Sequence, residues 1–156
     1  MKIFTPLKLI LVLFFLSVIN CCIAQEAKNK AEVEKALQLW NSNAKQADVK
    51  KTMAQFDNSE NIMVVGSDSG EIYKGSKQIE EWLGGLFSRF SFEWEMKRVD
   101  IDFYENTAWV FIDGAMIVTS KEGQSNKTPY RFSGILVKKN GEWKWRLYHG
   151  SIPKAE

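Results

Sequence analysis

Hydrophobic positions follow two regimes along this chain, and the change falls near residue 90. Before it they recur every three or four residues, and after it they alternate. Val33, Ala36, Leu37, Trp40 and Ala44 make one apolar stripe, which predicts a helix over 28–43 with lysine and glutamate outside. Asp48 occupies an N-cap position ahead of Val49, Thr52, Met53 and Phe56, so a short second helix follows, stopped by Asp57-Asn58-Ser59. Residues 61–66 and 71–74 read as short strands around the turn Ser67-Asp68-Ser69-Gly70. Ser76 then caps a third helix with Ile79, Trp82, Leu83, Leu86 and Phe90 as its buried stripe. Gly84-Gly85 inside it costs about 1 kcal/mol per glycine relative to alanine, which predicts either close approach to the sheet or room for a ligand.

In the alternating half, Phe90, Phe92, Trp94 and Met96 keep even numbers, whereas Val99, Ile101 and Phe103 keep odd ones. One extra residue near Lys97-Arg98 resets the parity, the signature of a β-bulge. A turn at Glu105-Asn106 sets Phe103 against Ala108 and Ile101 against Val110, and the inner face continues through Ile112, Gly114, Met116 and Val118. Asp113, on the outer face with Trp109, Phe111 and Ala115, lies across from Arg98 and predicts a cross-strand ion pair. A polar loop over 120–127 leads to a strand over 128–139, and Asn140-Gly141 is a type I′ hairpin turn.

That turn sets Leu136 against Trp145, Gly134 against Leu147, Phe132 against His149 and Tyr130 against Ser151. On this register the last strand carries an apolar face that ends in an imidazole and a hydroxyl. His149, the only histidine, and Ser151 converge with Tyr130 at the end of an aromatic wall, and Gly134 leaves a gap halfway along it. The reverse face, with Arg131, Ser133, Ile135, Val137 and Tyr148, is too apolar to be simply solvated, and a partner subunit is its expected cover.

The first 24 residues change the picture of where this domain works. A lysine-bearing start, an apolar run over 9–19 broken only by Ser17, and Cys22-Ile23-Ala24 read as a signal peptide cleaved after Ala24, leaving a domain over 25–156. The run is short of the roughly 20 residues that span a bilayer, so no transmembrane segment is expected and the domain is predicted to be periplasmic or secreted. Val18-Ile19-Asn20-Cys21 also resembles a lipoprotein box, whose alternative outcome is a lipid anchor at Cys21. Both cysteines precede the cleavage site, which excludes a disulfide, a thiol nucleophile or a thiolate metal site from the mature domain. With one histidine and no inner cluster of carboxylates, neither a metal nor a cofactor is expected. The formal charge of +2 belongs to the leader, since without Lys2 and Lys8 nineteen basic residues face nineteen acidic ones. A neutral domain is not a nucleic-acid binder, and Trp143-Lys144-Trp145-Arg146 puts its aromatics and cations on opposite faces of a strand.

Three helices, a hairpin and four long antiparallel strands with a bulge make an α+β cone, a strongly curved, mostly antiparallel sheet wrapped around helices. Asp48, Val65-Gly66-Ser67-Asp68 leading to Gly70-Glu71, Gly75, Ala108-Trp109-Val110, Pro129-Tyr130-Arg131-Phe132, and Gly141-Glu142-Trp143 running to His149-Gly150-Ser151-Ile152-Pro153 carry a further pattern. Over 31–153 the chain resembles the SnoaL-like branch of the nuclear transport factor 2-like superfamily, which includes ketosteroid isomerases and the association domain of calcium/calmodulin-dependent kinase. The resemblance implies a conical pocket, and often a homodimer through the convex sheet face, here Trp109, Arg131, Ser133, Ile135 and Tyr148.

Steroid isomerisation needs a carboxylate base with tyrosine and protonated carboxyl donors. Alignment through Asp48 and Phe56 puts Trp40, Val64 or Val65, and Gly134 in those roles, so that route is not expected here. The expected function is binding of a small apolar or amphipathic molecule by Trp40, Trp94, Tyr130, Phe132, His149 and Ser151, without covalent chemistry. One alternative is an isomerase, cyclase or dehydratase with His149 as its acid/base. Another is a dimeric accessory domain whose pocket is filled. A serine hydrolase is not expected, because no carboxylate is found on that face to orient His149 for Ser151.

Overall fold

The computed structural model describes residues 6–154, with side chains from Ala24 onward. Residues 1–5 of the expected leader, and the side chains of residues 6–23 including Cys21, lie outside the described residues. In chain order the elements are α1 (Pro6–Lys45), α2 (Val49–Met53), β1 (Met63–Val65), β2 (Ile72–Lys74), α3 (Ser76–Phe87), β3 (Phe90–Tyr104), β4 (Thr107–Ser120), β5 (Ser125–Lys139) and β6 (Glu142–Ser151). Among the described residues no helix is long and apolar enough to cross a membrane.

The first helix starts well before the predicted residue 28. No glycine or proline follows Pro6 until after Lys45, so nothing in the sequence interrupts its backbone hydrogen bonds. It ends where Ala47 takes a positive φ of 52°. Asp48 then caps α2, its carboxylate accepting from the Lys51 amide at 2.9 Å. The cap predicted for α3 differs: Gly75, at φ 80°, holds the cap position and makes no side-chain bond, and Ser76 is the first helical residue.

The six strands form one curved sheet in the order β2-β1-β6-β5-β4-β3, antiparallel throughout except where β1 runs parallel to β6. The helices press Leu37, Trp40, Ile79 and Leu83 into the concave side against Val110, Ile112, Phe132, Leu136 and Trp145, all buried. Each such side chain stabilises the fold by about 1.5–3 kcal/mol relative to exposure. A buried amide pair joins α1 to the segment after α2: Asn43 donates to Gln55 at 3.0 Å, and Gln55 donates to the Ala36 carbonyl at 3.1 Å. Asn41 reaches the outer edge of β3 and pairs with both backbone groups of Trp94, at 2.8 and 2.9 Å. That double bond replaces a missing neighbouring strand and fixes Trp94 against the helix.

The predicted bulge in β3 is present. Met96 opposes Gly114 and Arg98 opposes Asp113, leaving Lys97 unpaired. A side chain at Gly114 would sit 1.9 Å from the Glu95 carbonyl oxygen, so the bulge requires glycine there. The predicted Asp113–Arg98 ion pair does not form. Asp113 has an arginine opposite it on each side, and it takes Arg131 of β5 at 2.7 Å, while Arg98 turns along its own strand to Asp100 at 2.7 Å.

The turn at Asn140-Gly141 has both residues at positive φ, 52° and 82°, and it sets Leu136 against Trp145 as predicted. Beyond that pair the expected register fails. Ile135 opposes Leu147, Gly134 opposes Tyr148, Ser133 opposes His149, Phe132 opposes Gly150 and Arg131 opposes Ser151. Arg146 is an extra residue, a second bulge, and every side chain after it changes face. The bulge coincides with a change of neighbour on the other flank of β6. Trp145 donates to the Gln55 carbonyl and accepts from the Asp57 amide, both at 2.8 Å, whereas from Leu147 onward β6 pairs with β1. Arg146 sits at the exchange of partners, and its guanidinium reaches the wholly buried carboxylate of Asp57, which also holds Lys139.

Candidate functional site

A cavity of about 410 Å³ opens between the concave sheet face, α1 and α3. One wall is apolar: Leu83, Leu86 and Phe87 of α3 face Phe92 and Trp94 of β3 and Met116 and Val118 of β4. Trp40 of α1 closes the deep end, packed on Trp94, Tyr148, Trp145 and Phe56 with ring centroids 5.5–6.0 Å apart. The indole N–H groups of Trp40, Trp94 and Trp145 are sealed from water and meet no oxygen or nitrogen partner, so this end is a purely aromatic floor.

The opposite wall is polar, and glycines shape it. Tyr130 projects from β5, and a Cβ on Gly150 would lie 1.8 Å from its hydroxyl oxygen. The Glu71 carboxylate comes from the end of the β1–β2 turn, and a Cβ on Gly66 would lie 2.0 Å from it. Two polar groups thus occupy space that two glycines leave free. Glu71 accepts from the Asp68 amide at 3.1 Å and from the Trp82 indole at 3.4 Å. Tyr73 stacks on Trp82 at 5.1 Å, which ties the carboxylate to α3. Asp68 and Arg89 lie at the rim.

Burial pushes the Tyr130 phenol up from its ordinary value, Glu71 and Asp68 push it further, and the neighbouring Tyr148 and Ser67 hydroxyls oppose the rise. Tyr148 is pushed well above the ordinary 10.0, by complete burial first and then by Tyr130 and Glu71. Both phenols therefore stay protonated at neutral pH, as hydrogen-bond donors beside the Glu71 side chain.

Of the residues singled out from sequence, Trp40, Trp94 and Tyr130 line this cavity. Phe132 is 1% exposed and lies behind it, stacked on Tyr148 at 5.4 Å and edge-on to Trp94 at 6.0 Å. His149 and Ser151 are not in the site. The Arg146 bulge turns both to the convex face, where His149 is exposed between Ser133 and Val65. Tyr148, expected on the convex face, is buried and lines the cavity in their place. Gly134 leaves no gap either, since the Trp145 ring and the Leu147 carbonyl occupy the space beside it. Gly84 and Gly85 have nothing within 4 Å of where a Cβ would sit, so close approach to the sheet does not explain them.

Sequence reasoning missed Glu71, Tyr148 and Asp57. Gly150 two residues after Tyr148, on the same face and facing large aromatics, was the available signal for Tyr148. Among the described residues no group of three histidine, cysteine or carboxylate side chains is placed to hold a metal ion.

An aromatic cavity under a curved sheet, open at one end and lined on one side by phenols and a carboxylate, defines the class: an α+β cone with an internal site. The SnoaL-like domain family matches residues 33–155, and the chain belongs to that family. No curated protein matches it. Its fold is similar to that of a nuclear transport factor 2-like superfamily protein from Salmonella enterica serovar Typhimurium, at TM-score 0.74 and 20% identity over 83% of this chain and 94% of that one. A candidate scytalone dehydratase from Novosphingobium aromaticivorans aligns at TM-score 0.75 and 15% identity, over 85% of this chain and 89% of the other. A ketosteroid isomerase-like protein from Erwinia carotovora atroseptica aligns at TM-score 0.65 and 19% identity, over 80% and 96%.

Proposed function

We propose that this SnoaL-like domain binds one small, mostly apolar organic molecule in its cavity, with the ring system on the aromatic floor and a polar substituent against Tyr130, Tyr148 and Glu71. The observation that carries this reading is the pair of glycines, Gly66 and Gly150, that seat a carboxylate and a phenol in a cavity of about 410 Å³. The leader reading adds export, with cleavage after Ala24 or a lipid anchor at Cys21. The convex face supports a homodimer. Trp109, Ile135, Leu147 and Met63 form one cross-strand row, and Phe111, Ser133, His149 and Val65 form the next. Trp109 is 45% exposed at one end, and the Asp113–Arg131 pair borders the patch.

A thermal-shift screen of residues 25–156 against small aromatic ketones, phenols and acids tests the binding reading. A ligand at a hundred times its dissociation constant adds about 2.7 kcal/mol, a readily seen rise in midpoint. Tyr130→Phe is expected to reduce the shift for ligands with a hydrogen-bond acceptor and to leave purely apolar ones unchanged. A screen in which no compound moves the wild type would end the reading and favour a domain that works through its surface.

Glu71 beside two protonated phenols favours a second reading, acid/base catalysis, the class to which the names of some structural neighbours point. Glu71 is the base in this reading, and the phenols hold a substrate oxygen. Loss of turnover in Glu71→Gln with retained binding would mark it, and unchanged turnover would remove it.

A further inference from the structure

We propose that the cavity takes an organic cation: a ring-bearing amine whose apolar body lies on the aromatic floor and whose ammonium group meets the Glu71 carboxylate. The inference rests on the binding reading above and adds the ligand's charge to it.

Of the residues that line the cavity, Asp68, Glu71 and Arg89 are the acids and the base, and they are not equivalent. Arg89 is exposed, gives its Nε to the Gly85 carbonyl at 3.2 Å, and lays its guanidinium over the Phe90 ring at 5.4 Å. Its charge is committed at the rim. Glu71 is half-buried, and the two groups that donate to it, the Asp68 amide and the Trp82 indole, are both neutral. Among the described residues no lysine or arginine forms an ion pair with Glu71 or Asp68. A carboxylate offers about four acceptor sites, so roughly half of those on Glu71 stay open. A carboxylate drawn partly out of water lacks solvation that an incoming cation restores.

The neighbouring phenols register the sign of this wall. Burial is the larger cause of the rise at Tyr130 and at Tyr148, but Glu71 adds to it at both, and Asp68 adds to it at Tyr130. A carboxylate ligand entering here would meet the same repulsion, and a neutral one would leave the Glu71 charge unanswered.

The floor suits a cation as well. Trp40 lies 5.5 Å from Tyr148 and 6.0 Å from Trp94, and Trp94 lies 6.3 Å from Phe92, centroid to centroid. Aromatic rings attract cations through their π systems, tryptophan most strongly. A metal ion is a poor occupant by comparison. It asks for a shell of oxygen or nitrogen ligands, and among the described residues no group of three such side chains is placed to supply one. An organic cation instead brings an apolar body that matches the Leu83, Leu86 and Val118 side of the cavity.

Matched probes test the charge separately from the binding. Phenethyl and naphthylmethyl compounds, each as the amine, the alcohol and the carboxylate, are titrated calorimetrically into the wild-type protein. The amine is expected to bind about tenfold tighter than the alcohol of the same ring system, with the carboxylate weakest. Added salt should weaken the amine and leave the alcohol unchanged. Glu71→Gln should remove most of the amine's advantage while the alcohol stays within about twofold of its wild-type affinity. Asp68→Asn, a change at an exposed side chain, should cost the amine about twofold and the alcohol nothing. The order of affinities in the wild type needs no variant to fold. An alcohol or carboxylate that binds as tightly as its amine would overturn the cation assignment and leave the binding reading standing. An amine preference that survives Glu71→Gln would overturn the role given to Glu71. If no member of either series binds the wild type, the binding reading fails and this inference falls with it.

Discussion

Lys97 and Arg146 are both surplus residues that reset a strand, but they are held by different means. The bulge at Lys97 lies on β3, at the sheet's edge, and its side chain is exposed; the bulge is accommodated by a missing side chain opposite, at Gly114. The one at Arg146 lies on an interior strand and is held by a charge, the buried Asp57. A bulge accommodated by space tolerates almost any residue at the bulge itself. A bulge held by a buried ion pair depends on the partner and on pH.

The comparison is most easily broken at Asp57. Asp57→Asn should lower unfolding free energy in urea by about 3 kcal/mol, the lower end for a broken buried pair, because the stranded Lys139 and Arg146 are partly exposed and can turn to water. The same carboxylate sets an acid limit. Its value is depressed when folded, so its contribution is complete above the ordinary 3.8 and is lost as pH falls below that through the folded value. Asp57→Asn should remove that acid-dependent limb from a stability–pH profile.

The matching test at the edge bulge is Gly114→Ala, which pushes a methyl group into the Glu95 carbonyl and should cost about 2 kcal/mol by the same urea measurement, independent of acid. Smaller again is Tyr148→Phe, about 1 kcal/mol, the worth of one buried hydroxyl's hydrogen bond. Its more telling signature is alkaline. A phenol raised well above 10.0 when folded contributes stability in full below pH 10 and loses it as pH rises beyond, so the phenylalanine variant should flatten that decline. Lys97→Ala should change stability by no more than about 0.5 kcal/mol, as expected for an exposed side chain at a bulge that space accommodates.

The same contrast explains what the sequence disclosed. The Lys97 bulge was legible because apolar residues flank it on both sides with opposite parity, and only one arrangement buries them all. After Arg146 both parities are credible: Leu147, His149 and Ser151 on one, Tyr148 and Gly150 on the other. The bulge residue's own partner, Asp57, lies nearly ninety residues earlier and reads locally as a helix stop, so nothing near Arg146 marks it as the surplus residue. Trp40, Trp94 and Tyr130 were legible as cavity residues because their elements are long and strongly patterned. Glu71 was not, because β1 and β2 are three residues each and give no alternation from which to place a face. The Asp113 partner was ambiguous for a simpler reason: an arginine faces it from both neighbouring strands.

The two glycines of α3 bear on motion. Neither is demanded by packing, yet together they forgo about 2 kcal/mol of helix propensity in the element that forms the cavity's apolar wall. The strands facing that wall are locked into a continuous ladder; the helix is held by its buried stripe and by the Trp82–Glu71 link. Local opening therefore begins in α3, and its amides should exchange with deuterium sooner than those of β5. If α3 exchanges first, the static outline of the cavity is a lower bound on the space its helix side would admit.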